Sequence, residues 1–156
     1  MNENEPKQPV VRAVDVQLRN GSIVSGKFLI WIPAPEDKSL VRIAVQFLGR
    51  EVSQAAESCI FALNRVRAEL EKDGTLLRCY GNSRNTISDG MSGSMRAGSA
   101  THKCYLGKKG AMGDLVSIFG SGPDVDPCTL QEQAEFRDQW LTSLGIDPNR
   151  GRVRPF

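Results

Sequence analysis

Asn20-Gly21 sits between two runs whose apolar residues recur at every second position, and that arrangement commits residues 10–30 to an antiparallel hairpin. Before it, Val14, Val16 and Leu18 share one face while Asp15, Gln17 and Arg19 share the other. After it, Val24, Phe28 and Ile30 align. A two-residue turn would pair Leu18 with Ile23 and put the two apolar sets on opposite sides of the sheet. A three-residue turn with Gly21 in the left-handed conformation restores a common face, so a bulged hairpin is expected.

Pro33 and Pro35 close the second strand, because proline has no N–H to give to a ladder. Leu40–Leu48 then alternates again through Val41, Ile43, Val45 and Phe47, a third strand. From Ser53 to Lys72 the period changes: Ala56, Cys59, Ile60, Leu63, Val66 and Leu70 recur at three and four residues, which predicts an amphipathic helix stopped by Gly74. Thr75–Tyr80 and Thr101–Leu106 read as short strands, the latter with Cys104 and Leu106 facing inward beside His102. Asp114–Phe119 reads as a last strand, although six residues fit a helical turn as well. Thr129 and Glu132 have the spacing of a capping box, so a second helix opens there, and Gly145 ends it.

The expected order is β-β-β-α-β-β-β-α. This is an α+β domain, with a mostly antiparallel sheet of five to six strands and two amphipathic helices on one face. Its limits are set at 10–145, with tails at 1–9 and 146–156. At 156 residues and 40% hydrophobic content the chain is long enough for one core, without help from disulfides or metals. The four cysteines lack a C-x-x-C pair, and His102 is the one histidine. Four buried or half-buried free thiols are therefore expected, with no metal centre and no cofactor. The N-terminus has no secretion pattern, and no run is long enough to span a bilayer; a cytoplasmic location without membrane contact follows as an expectation.

The stretch Gly81–Thr101 is dominated by Gly, Ser and small polar residues, and an irregular connection of that length in a small domain is a candidate site. Gly93 and Gly98 have P-loop spacing, yet Ser99 and Ala100 stand where that motif needs Lys and Ser or Thr. A looser anion nest of glycine amides helped by Arg84, Arg96 and Lys103 stays open. Met91 and Met95 are adaptable anchors for a partner, and Asn85 and His102 complete the candidate binding set. No catalytic residue is assigned: Gly90-Met91-Ser92-Gly93 misses the nucleophile-elbow spacing by one residue, and Cys104 beside Lys103 is the sole candidate thiolate.

Charge is segregated along the chain. From Thr75 to Met112 the basic residues Arg78, Arg84, Arg96, Lys103, Lys108 and Lys109 face one acid, Asp89. From Gly113 to Gln139 the balance reverses, with Asp114, Asp124, Asp126, Glu132, Glu135 and Asp138 against Arg137. Such asymmetry suits an anionic partner or a solvated face.

Val16–Ile30 resembles the opening strands of Sm-like RNA-binding proteins, but the long helix and later strands have no place in that small barrel. Nucleic-acid binding ranks behind protein binding for that reason, and because aromatic content is 6%. A wider resemblance runs from Gly90-Met91, Met95 and Gly98 through Asp114-Leu115-Val116 and Ile118-Phe119 to Trp140-Leu141 and Ser143-Leu144. These residues make the chain similar to a group of small bacterial single-domain proteins. The resemblance implies bacterial origin and one domain, and it carries no activity.

The expected function is a non-catalytic binding protein, an immunity-type or regulatory partner of another protein. The alternative is a small-ligand or phosphate-ester site, possibly enzymatic, on the 81–101 connection.

Overall fold

The computed structural model describes residues 8–88, 98–110 and 114–149. Two antiparallel sheets and two helices make up the α+β fold expected from the sequence. Strands β1 (Val10–Gln17), β2 (Ile23–Trp31), β3 (Val41–Phe47) and β4 (Arg50–Ala56) form a meander. Helix α1 (Cys59–Glu71) then crosses the sheet and delivers β5 (Leu76–Arg78) to the far edge, giving the order β4-β3-β2-β1-β5. A second sheet holds β6 (Thr86–Ile87), β7 (Ala100–Lys103) and β8 (Leu115–Ser117), with β7 central. The single sheet of five to six strands anticipated above is therefore two sheets of five and three.

The first hairpin is bulged as expected. Leu18 N–H donates to Ser22 O at 2.8 Å, Gly21 N–H to Leu18 O at 2.9 Å, and Gly21 has φ +86°. This turn keeps Val16 opposite Val24 and puts Val14, Val16, Phe28 and Ile30 into one core. α1 covers that core with Ile60, Leu63, Val66 and Leu70. Phe119 closes the end of the core edge-on to Phe28, with ring centroids 5.1 Å apart.

The helix predicted from Ser53 begins instead at Cys59, capped by Ser58, whose Oγ accepts from Phe61 N–H. Residues 50–56 pair with β3, Val52 opposite Val45 and Ala56 opposite Val41. The turn that makes this possible is Leu48-Gly49, where both residues have positive φ, +50° and +71°. Two such residues in a two-residue loop form a type I′ turn, whose usual signature is Asn-Gly. Leu48 hid the hairpin. Tertiary pairing then overrode a helical period that, at Ala56, ran unbroken into the strand.

The Gly81–Thr101 connection is also more ordered at its ends than a structureless loop. Tyr80–Asn82 forms one 3₁₀ turn, and Thr86 and Ile87 pair with Lys103 and His102. Asp114–Phe119 resolves as strand β8. Leu106, expected inward, is 54% exposed, because the chain turns away after the buried Cys104, with Lys108 N–H bonded to Tyr105 O. Helix α2 (Leu130–Ser143) carries the predicted capping box and ends at Gly145 with φ +77°. It packs against α1 and β6 rather than spreading over the five-stranded sheet, and none of its side chains is fully buried.

Replacing Leu48 by Asn should remove the cost of holding a leucine in the left-handed region. We expect Leu48→Asn to raise stability by about 0.5–1 kcal/mol in urea denaturation with the denaturant slope unchanged. No gain would mean that the turn is not strained.

Candidate functional site

The stems of the 81–101 connection rest on a buried polar network built around Arg67. Arg67 lies on the same arc of α1 as Leu63 and Leu70, and its guanidinium is inside the protein, at 1% exposure. Nη1 donates to Gln133 Oε1 at 2.7 Å, Gly81 O at 3.0 Å and Asn64 Oδ1 at 3.2 Å; Nη2 donates to Cys128 O at 3.3 Å. Four neutral oxygens thus solvate the cation in place of water. Burial lowers its pKa, opposed by attraction to the Glu71 carboxylate, and the group stays charged as arginine does in proteins.

Gln133 connects this charge to the candidate loop. While its oxygen accepts from Arg67, its Nε2 donates to Ser83 O at 2.8 Å and to Thr86 Oγ1 at 3.1 Å. Asn82 Nδ2 donates to Cys128 O at 2.9 Å, and Cys128 N–H returns to Asn82 O at 3.2 Å. Ser83 Oγ donates to Asn85 Oδ1 and accepts from Asp126 N–H. Asn82, Ser83 and Thr86 are buried and hydrogen-bonded, as buried polar groups must be. Gly81 has no room for a side chain: an added Cβ would lie 2.5 Å from Leu63 Cδ2 and 2.9 Å from Ile118 Cβ.

Four of the seven predicted binding residues fall among the described residues, and the β6–β7 pairing brings them onto adjacent stems. Arg84 and Asn85 precede β6, His102 and Lys103 end β7, and Cys104 N–H donates to Asn85 O at 2.7 Å. Met91, Met95 and Arg96 lie outside the described residues, as does most of the P-loop-like run.

Two cations of the basic stretch meet acids of the acidic one. Arg84 is paired with Glu132 at 2.6 Å and with Asp126 at 3.3 Å, and Lys103 with Asp124 at 2.8 Å. Lys103 Nζ also lies 4.8 Å from the Tyr80 ring centroid, and Tyr80 Oη donates to Asp124 Oδ1 at 2.7 Å. Asp124 is held below the usual carboxylate range by Lys103 and Tyr80. Glu132 is held low by the Thr129 N–H and then by Arg84. Tyr80 moves the other way: its bond to Asp124 favours the protonated phenol.

The thiols near these groups are buried rather than exposed. Cys59, Cys79, Cys104 and Cys128 are all buried and outside any disulfide, as expected, and burial pushes Cys59, Cys79 and Cys128 up to about 11. A thiol becomes reactive in the opposite setting, exposed and electropositive. His102 lies on the central strand, half-buried, with no ring hydrogen bond to a described residue. Among the described residues no group of three His, Cys, Asp or Glu could hold a metal, and no helix is long and apolar enough to cross a membrane.

Sequence reasoning missed Arg67, Asn82, Gln133 and the Tyr80–Lys103–Asp124 cluster. Only Arg67 left a trace, as a cation on the apolar side of α1. No protein-family model matches the chain, and no curated protein matches it.

Arg67→Met keeps the side-chain length but strips a donor from four oxygens. It should cost about 3 kcal/mol or more in urea denaturation, with Arg67→Lys intermediate; a methionine variant as stable as the parent would remove Arg67 from this role. The carboxylates give a second prediction. Because the folded pKa values of Asp124 and Glu132 are depressed, the stability they lend is complete above the unfolded values, near 3.8 and 4.5, and is lost as pH falls through the folded ones. Amide protection in 124–132, measured against the intrinsic exchange rate at each pH, should therefore fall on acidification below pH 4, before the β1–β4 meander opens.

Proposed function

We propose that this chain is a non-catalytic protein that binds another protein, as an immunity-type or regulatory partner. The recognition element in this reading is the 81–101 connection, displayed from the β6–β7 stems. One observation carries it: the two cations that the described stems would offer to an anion, Arg84 and Lys103, are paired with carboxylates of the same fold, and the phenol beside them, Tyr80, stays protonated. A rigid platform whose cations are already paired suits display rather than chemistry.

The phosphate-ester alternative is less well supported for the same reason, since an anion would have to displace Glu132 from Arg84 or Asp124 from Lys103. A bacterial, cytoplasmic setting belongs to the same proposal.

The test exchanges residues 89–97 for a short Gly-Ser linker and compares the variant with the parent in cross-linked capture from a native bacterial lysate. With circular dichroism unchanged, one protein should be enriched at least about tenfold by the parent alone, a free-energy difference near 1.4 kcal/mol. Equal recovery by both forms, or a thermal shift with nucleotides or phosphorylated metabolites that the linker variant loses, would overturn the reading.

A further inference from the structure

The fifth strand of the large sheet has three residues and the strand it borders has eight. β5 pairs with β1 only at Asp15, Val16 and Gln17, and after Arg78 the chain leaves the sheet for Tyr80, whose N–H bonds to Gly120 O. β1 itself begins five residues earlier, at Val10. Bonding parity fixes which backbone groups remain. Leu18 bonds to Ser22 across the hairpin, so Val16, Val14, Arg12 and Val10 turn their N–H and C=O toward β2. Gln17, Asp15, Ala13 and Val11 turn theirs outward, and β5 takes the first two. Among the described residues nothing pairs with the outward N–H and C=O of Ala13 and Val11.

Side chains along this edge are exposed as well. Val10–Ala13 are all exposed, Val10 at 61% and Val11 at 57%, although β2 behind them buries Phe28 and Ile30. Arg12 donates to Ser117 Oγ at 3.2 Å and has no carboxylate partner among the described residues. An apolar strand edge with an uncompensated cation at its centre is both a hydrogen-bonding template and a charge preference.

We propose that Val10–Ala13 is a docking edge for an extended segment of another protein that carries an acidic residue between two apolar ones. The segment runs antiparallel to β1, end to end with β5, and completes the fifth strand. Its flanking residues lie opposite Val11 and Ala13 and exchange main-chain hydrogen bonds with them. Its acid lies opposite Arg12, at a non-hydrogen-bonded position where side chains approach most closely. Its apolar side chains extend the row Val11–Leu29–Ala44 on the sheet face away from α1.

A second copy of this chain fits the edge poorly in both registers that β5 leaves open. Pairing Val11 with Ala13 of the copy opposes Arg12 to Arg12, a like-charge pair. Pairing Val11 with Val11 opposes Ala13 to Pro9, which has no N–H. The proposal rests on the reading of the chain as a protein-binding module, but it uses a surface other than the 81–101 connection.

The probe is a blocked pentapeptide, threonine-valine-glutamate-valine-threonine, with a lysine-centred control, titrated into the full-length protein and followed by amide NMR. The glutamate peptide should shift and protect the Val11 and Ala13 amides and bind about fivefold more tightly than the lysine peptide. Arg12→Glu should invert that preference. Ala13→Pro should abolish binding while leaving the β1–β2 ladder intact, because the Ala13 N–H points outward. Neither variant should change capture through residues 89–97, so failure of this edge and failure of the proposed function are separable. No perturbation at millimolar peptide, indifference to peptide charge, or concentration-dependent protection of Val11 and Ala13 by the protein alone would each overturn the proposal.

Discussion

A single buried cation fixes where the second half of the molecule can lie. Arg67 leaves α1 on its apolar side, and once the guanidinium is out of water each of its N–H groups needs an oxygen. Oxygens come from Asn64, Gly81, Cys128 and Gln133, residues spread over 70 positions of chain. Satisfying the charge therefore brings the 3₁₀ turn, the approach to α2 and α2 itself to one point. The Nε–H finds no acceptor among the described residues, so the arrangement retains a cost. Such a group specifies position more than it stabilises.

The docking of α2 follows from this. An amphipathic helix ordinarily attaches by burying a stripe of side chains, yet α2 buries none completely. It is held instead by directed bonds. Gln133 meets Arg67, Glu71 of α1 accepts from the Leu130 N–H at 3.0 Å, Trp140 Nε1 donates to Lys108 O, and Ser143 Oγ accepts from Gly107 N–H. Glu71 reaches the end of the incoming helix at the price of partial burial, which raises its pKa. The helix is consequently positioned closely without being sealed, and its apolar residues stay half-exposed.

Charge segregation along the chain is the primary-structure form of the same assembly. The basic stretch supplies Arg84 and Lys103, and the acidic stretch supplies Asp124, Asp126 and Glu132; folding lays one against the other. A reading of Arg84 and Lys103 as cations aimed at a ligand depends on their being unpaired, and pairing is a long-range property. Alternation and capping were legible because they act over a few residues. The bulged turn at Gly21, the capping box at Thr129 and Glu132, the stops at Gly74 and Gly145, and the buried cysteines were all readable in this way. The β3–β4 hairpin was not, because Leu48 carries no turn signature, and neither was the two-residue strand β6, which exists only by pairing with β7.

The amino-acid sequence by itself determined the α+β class, the first hairpin and its register, the apolar faces of the meander and the capped start of α2. Each depends on side-chain period or on a bond between near neighbours. Only the tertiary structure decided that there are two sheets, that α1 begins after a fourth strand, and that Arg84 and Lys103 are matched by distant acids. It also decided that β5 ends short of its neighbour. Those outcomes turn on which backbone and charged groups meet across tens of residues. That is settled by the cost of leaving a buried donor or charge unsatisfied, a cost that no local stretch of chain can express.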